Sequence, residues 1–461
     1  MSPAKLPTRT GFSPLTTFFT NEDSICLHRF ITWAMLLAAI FICNDTSASS
    51  KRIHPSVTFF MLGNAYMAKG DFDCAIEQYT RAIQASPKFV DAYFNRGRAH
   101  DARGELNEAV ADYEKALSID PRKAEVYNNR AIIRVEQNDL RGAIADLDRA
   151  ITINPNLAEA YYNRGRLRFS GGDTTGAIVD FDSAIQRFPN TLAGVHSLSV
   201  RNPNQANAYN SRGIARQAIG DLKGAAADFS RGIEINPRLA EAYNNRGNVL
   251  LMQDNPDRAV ADFNAAILIN PSIAESYCNR GRGHVAKGDF AAAIADYNRA
   301  LEMAPNLDAA YLRRGNVWYQ LNELDKAMAD FDSVIRLNPR AAGAFNNRGL
   351  VWEAKGEVDK AIADFTEALC TSYDFAEAYS NRSRTLQTKG DLDAAAADLS
   401  RAVEIHPSDP MNYLNRGLVR LRQGRDEEAN KDFEKTLSLS HQLKVLLEHR
   451  IMAVRRLARL P

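Results

Sequence analysis

Between Ser56 and Leu443 the chain returns eleven times to one pattern of small, aromatic and charged residues, and nine of the ten steps are 34 residues long. A period like this constrains the fold more than composition can. Each unit must be one small module that buries its apolar face only against copies of itself. The units begin at Ser56, Val90, Ala124, Ala158, Ala206, Ala240, Ala274, Asp308, Ala342, Ala376 and Pro410. Position 8 of the unit is Gly, Ala or Ser throughout, and position 20 is Ala from Ala75 to Ala429. Small side chains at two fixed places predict two helices in close approach. Position 4 is aromatic from Phe59 to Tyr413, and position 24 is Tyr, Phe or Leu. Positions 4, 8 and 11 share one helical stripe and 20, 24 and 27 another, so each unit reads as two amphipathic helices facing each other.

Turn chemistry separates the helices. Gly-Asp, as in Gly70-Asp71, Gly172-Asp173, Gly220-Asp221, Gly288-Asp289 and Gly390-Asp391, ends the first helix and caps the second. A proline closes most units, with Tyr373 and His441 in its place in units nine and eleven. These columns resemble the tetratricopeptide repeat family from Ser56 to about Leu443. The resemblance implies an all-α solenoid, a right-handed superhelix of helix-turn-helix hairpins. Its inner face, formed mainly by the first helices, would hold peptides or partner helices.

The expected organisation is a leader over 1–52, units one to four over 53–191, an insertion over 192–205, units five to eleven over 206–443 and a capping helix over 444–461. In the leader, Phe30 to Cys43 is an apolar run with Arg29 before it. It is shorter than the ~20 residues of a spanning helix and suits the core of an export signal, with Thr46-Ser47-Ala48 as a small-residue cleavage site. The leader's length and the acids Glu22 and Asp23 oppose that reading. An exported or periplasmic protein, membrane attachment through 30–43 and a cytoplasmic protein therefore all stay open. The insertion either loops out inertly or bends the array. In the tail, Leu447, Ile451 and Val454 form a helical stripe suited to shielding the last open repeat face.

Position 7 is Arg and position 23 is Asp in the same ten units, from Arg96 and Asp112 to Arg416 and Asp432. Unit one lacks both, with Leu62 and Gln78. Joint presence and joint loss predict an Arg–Asp pair bridging the helices of a unit or of adjacent units. Position 6 is Asn in eight units: Asn95, Asn129, Asn163, Asn245, Asn279, Asn347, Asn381 and Asn415. Asn is a mediocre helix former, so its recurrence in mid-helix needs a reason. A row of carboxamides can pair with the N–H and C=O groups of an extended peptide. The row is similar to the asparagine ladder of the O-GlcNAc transferase family, although no glycosyltransferase domain follows. The opposing reading is that these side chains bond neighbouring helices and hold the pitch. Acids at position 2 and the bases Arg98, Arg166, Arg282 and Arg384 at position 9 either select charge on a ligand or are solvated.

The expected function is that of a non-catalytic scaffold binding a protein or peptide partner, with a regulatory subunit or adaptor of an enzyme complex as the alternative. An RNA-binding helical repeat is disfavoured, because 57 Lys and Arg against 56 Asp and Glu give no basic surface. Position 5 holds no Lys, which argues against clamping acidic chaperone tails. Eight dispersed histidines, five scattered cysteines and the lack of Walker, nucleophile-elbow or zinc-protease motifs leave no catalytic, cofactor or metal residues to nominate.

Overall fold

The computed structural model describes residues 54–188 and 203–457. The leader with its apolar run 30–43, and insertion residues 192–202, lie outside them. Two compact bodies divide the chain, one ending at Val249 and the other beginning at Leu250.

In the first body the hairpins are Pro55–Lys69 with Phe72–Ala85, Val90–Arg103 with Leu106–Ile119, and Ala124–Glu136 with Leu140–Ile153. Ala158–Ser170 with Thr174–Arg187 and Pro203–Ala218 with Leu222–Ile235 follow. The division falls within Ala240–Met252. The second body continues with Pro256–Ile269 and then the hairpins Ala274–Ala286 with Phe290–Met303, Asp308–Gln320 with Leu324–Leu337, and Ala342–Ala354 with Val358–Thr371. Ala376–Lys389 with Leu392–Ile405 and Pro410–Arg422 with Asp426–Leu439 complete it, followed by Lys444–Leu457. No strand occurs among the described residues.

The close approach expected at position 8 is real, and its cause is an aromatic ring. A Cβ built on Gly97, Gly213, Gly281, Gly315 or Gly349 would lie 2.6–2.7 Å from the position-24 ring of the same unit. Those rings, among them Tyr113, Phe229 and Phe365, are fully buried. The two units in which position 24 is Leu (Leu147 and Leu399) are the two in which position 8 carries a Cβ, as Ala131 and Ser383. Ring and glycine are therefore one packing unit, and a shorter side chain releases the constraint.

The turn between helices also obeys one rule. Position 15 adopts the left-handed conformation in every unit, at φ +73° to +91° where it is glycine. Asn138, Asp254 and Asn322 take the same conformation at 63°, 56° and 60°. The following residue then caps the second helix: Asp71, Asp139, Asp173, Asp221, Asp289 and Asp391 each accept the N–H three residues on, at 2.8–3.1 Å. At the far end of the unit Asp120, Asn154, Asn236, Asn270 and Asn338 each close the loop by accepting the N–H two residues on.

Within each body the hairpins pack on one another in sequence order, and first helices of adjacent units also touch, from Pro55–Lys69 to Pro203–Ala218 in the first body and from Ala274–Ala286 to Ala376–Lys389 in the second. The first helices thus lie on the more crowded side of the stack. One boundary differs from the sequence reading. The first helix of unit five begins at Pro203, so Pro203, Asn204 and Gln205 are helical rather than part of a loop. Proline suits a first helical turn, where its missing N–H leaves no bond unmade. Buried Gln205 then donates to the Ile185 carbonyl of unit four. At the C-terminus the last helix sets Leu447, 3 % exposed, against Leu414 and Phe433.

Candidate interaction face

The arginine column is structural. Arg96, Arg130, Arg164 and Arg212 in the first body, and Arg280, Arg314, Arg348, Arg382 and Arg416 in the second, each hold the Asp sixteen residues on in the same unit. Nε donates to one carboxylate oxygen at 2.8–3.0 Å. Nη2 donates to the other at 2.5–2.7 Å. The aspartates are buried, Asp180 to 1 % exposure. Each guanidinium also lies over the position-4 ring of its unit, 5.2–5.8 Å from the centroid. The bond to Asp112 and its charge hold Arg96 above the usual guanidinium range against the pull of burial.

A third contact was not legible beforehand. Nη1 reaches back to position 25 of the preceding unit: Arg96 to Thr80, Arg164 to Asp148, Arg212 to Asp182, Arg246 to Ser230, Arg280 to Asn264, Arg314 to Asn298, Arg348 to Asp332 and Arg382 to Thr366. One side chain joins the two helices of its own unit and staples that unit to its neighbour. Unit one, where Leu62 and Gln78 replace the pair, is the first unit of the described residues and has no preceding repeat among them.

The eight position-6 asparagines all sit half-buried on first helices. Asn95 donates to Asn64 at 2.8 Å, Asn163 to Asn128 at 2.9 Å, Asn245 to Asn210 at 3.0 Å, Asn347 to Asn316 at 2.8 Å and Asn381 to Asn346 at 2.9 Å. Asn129 accepts from Asn128 at 3.1 Å, and Asn415 accepts from Arg450 of the last helix at 3.3 Å. Asn279 is half-buried in the same register. In the second body the bonds run on as a chain, Asn381 to Asn346 to Asn347 to Asn316. Six of these carboxamides (Asn95, Asn163, Asn245, Asn347, Asn381 and Asn415) therefore bond a neighbouring helix. Each has two N–H groups and an oxygen with two lone pairs, so one such bond leaves capacity facing outward. The supporting asparagines at positions 5 and 9 (Asn128, Asn210, Asn346, Asn64 and Asn316) were missed as partners. The Asn-Asn-Arg runs in units three, six and nine were the available signal.

The charges of this face are partly spoken for. Asp91 pairs with Lys123 at 2.8 Å, and Arg384 makes a two-pronged pair with Glu353. Burial and the neighbouring Arg313 lower the pKa of Arg282. Among the described residues no group of His, Cys, Asp and Glu is arranged to hold a metal ion, and no helix is long and apolar enough to cross a membrane.

Family profiles described as tetratricopeptide repeat match residues 60–124, 278–339, 325–377 and 381–439, and further profiles of the same description match 159–191 and 240–273. A profile described as TPR repeat matches 132–172. The chain belongs to the tetratricopeptide repeat family. Among solved structures, yeast Tom70 is similar at 17% identity, covering 88% of this chain and 96% of that one, with a TM-score of 0.44. A tetratricopeptide repeat protein from Parabacteroides merdae is similar at 22% identity, covering 57% of this chain and 98% of that one, with a TM-score of 0.42. YrrB, described as a TPR protein with an unusual peptide-binding site, is similar at 25% identity over 41% of this chain and 96% of that one, with a TM-score of 0.33. No curated protein matches the chain. The tetratricopeptide units are modules of a kind that serves protein–protein interaction, which makes their first-helix face the candidate site.

Proposed function

We propose that the protein is a non-catalytic scaffold whose first-helix face binds an extended segment of a partner protein along the asparagine row. The observation that supports this most is the row itself. Carboxamides recur in one register on adjacent units, are held in place by neighbouring carboxamides, and keep donor and acceptor capacity for a backbone laid across them. The arginines, by contrast, are saturated by aspartate, which removes the main cationic surface that an RNA-binding solenoid would use. A regulatory subunit or adaptor of an enzyme complex would use the same face with a different partner.

Affinity capture with the full chain, repeated with Asn245, Asn279 and Asn347 all changed to Ala, tests this. Loss of the captured partner with unchanged helicity is expected, and unaltered recovery contradicts it. For the leader, the apolar run 30–43 supports export. N-terminal sequencing of the protein recovered from its cells should then begin just past Ala48, and an intact Met1 start contradicts export with cleavage.

A further inference from the structure

We infer that an apolar well between units three and four seats one aliphatic side chain of an extended segment that carries a carboxylate beside it. This deepens the scaffold reading and rests on it. The well holds about 50 Å³ and is walled by Ala131, Ile132, Val135 and Leu147 of unit three and Leu167 of unit four. Where most units place a position-24 ring against a position-8 glycine, unit three has Leu147 against Ala131, and both side chains line the well. Position 9, which is Arg or Asn in seven units, is Ile132 here and carries the apolar wall out to the first-helix face.

Three polar residues stand in the lining; Ser170 donates its hydroxyl to the Leu167 carbonyl, and the other two fix the chemistry of the occupant. Asn163 has one N–H committed to Asn128 and belongs to the carboxamide row, so a backbone running along the row passes this well. Arg166 packs its guanidinium 5.8 Å from the Tyr162 ring centroid and is the one charged residue of the lining. A guanidinium has five N–H donors in a fork that matches a carboxylate, so it serves an acid in addition to its present contacts. A single water needs ~10–15 Å³ of such space, so a well of about 50 Å³ has room for a small branched aliphatic side chain and not for an indole. An apolar wall gives water few partners and gives an aliphatic group a full set of contacts.

The test uses the full chain labelled at Ile, Leu and Val methyls and titrated with acetylated, amidated heptapeptides Ser-Ser-Ser-X-Glu-Ser-Ser, where X is Leu, Ala or Trp. With X as Leu, the Ile132, Val135 and Leu167 signals should move at a midpoint at least tenfold lower than with Ala or Trp. Exchanging the peptide's Glu for Gln should weaken binding several-fold. Ala131→Gly combined with Leu147→Phe gives unit three the packing pair of other units, so it should keep the fold while abolishing these shifts. Ile132→Asn installs the residue found at position 9 as Asn64 and Asn316 and should weaken the Leu peptide without touching the well floor. Equal midpoints for Leu and Ala, or undiminished shifts in the filled variant, overturn the inference. Movement confined to Leu350 and Leu418 on the same face elsewhere refutes the well and leaves the scaffold reading intact. No movement on that face with any peptide counts against both.

Discussion

At the residue scale two pairings set the module, and both make sharp expectations. A Cβ on Gly315 would meet the Phe331 ring at 2.7 Å and the Asp330 Cβ at 3.2 Å, with the ring fully buried. Gly315→Ala should therefore destabilise by ~1–3 kcal/mol through overpacking. Adding Phe331→Leu, the combination found at Ala131 and Leu147, should recover most of it. Denaturant titrations of the two single variants and the double variant would show a coupling above ~1 kcal/mol, and simple additivity would refute the pairing. The second pairing is Arg164 with Asp180, whose carboxylate also accepts from Arg168 at 2.9 Å. Asp180→Ala removes the two-pronged partner of the half-buried Arg164, leaving it only the exposed Asp148, and should cost ~3 kcal/mol. Arg164→Leu with Asp180→Gln, the residues unit one carries as Leu62 and Gln78, should be markedly less harmful than Asp180→Ala. A double variant as unstable as the single one contradicts the account. The pairs were legible because both columns are chemically uniform. The staple to the preceding unit was not, because position 25 offers acceptors of mixed type: Thr80, Asp148, Ser230 and Asn264.

Helices and turns were readable almost in full, since each boundary has its own local chemistry. Glycine at position 15 announces the turn, and the three units that substitute Asn138, Asp254 or Asn322 hold the same left-handed backbone at a steric cost. Asn322→Gly should raise stability by ~0.5–1 kcal/mol, read as a higher denaturation midpoint. A lower midpoint would show that the Asn side chain contributes more than the backbone relief. The insertion boundary was misplaced by three residues, although Pro203 was a usable N-terminal signal. At the other end, the last helix covers the apolar face that any terminal repeat exposes. Leu447→Asp should destabilise the second body by ~2–4 kcal/mol and increase binding of a hydrophobic dye, because Leu414 and Phe433 lose their cover. An unchanged melting profile without dye binding would mean that the helix is dispensable.

For the whole molecule, stability is a sum of unit and neighbour terms, so the arginine staples belong to the coupling between units as much as to the units themselves. The period gave the fold class because repetition multiplies a weak signal. The interaction face was legible only as a column. Asparagine at position 6 marks a register, but whether its carboxamide faces a neighbour or a ligand depends on side chains at positions 5 and 9 that vary from unit to unit. The structure shows the neighbour bonds, and the ligand is the part still to be met. A photo-crosslinking residue placed in turn at Asn163, Asn381 and the exposed second-helix Arg149, followed by mass spectrometry of the captured adducts, addresses that part directly. Adducts of a partner at Asn163 and at Asn381, and none at Arg149, are the expected outcome. Adducts at Arg149 with none at the two asparagines would place the binding surface on the opposite side of the hairpins and contradict the account.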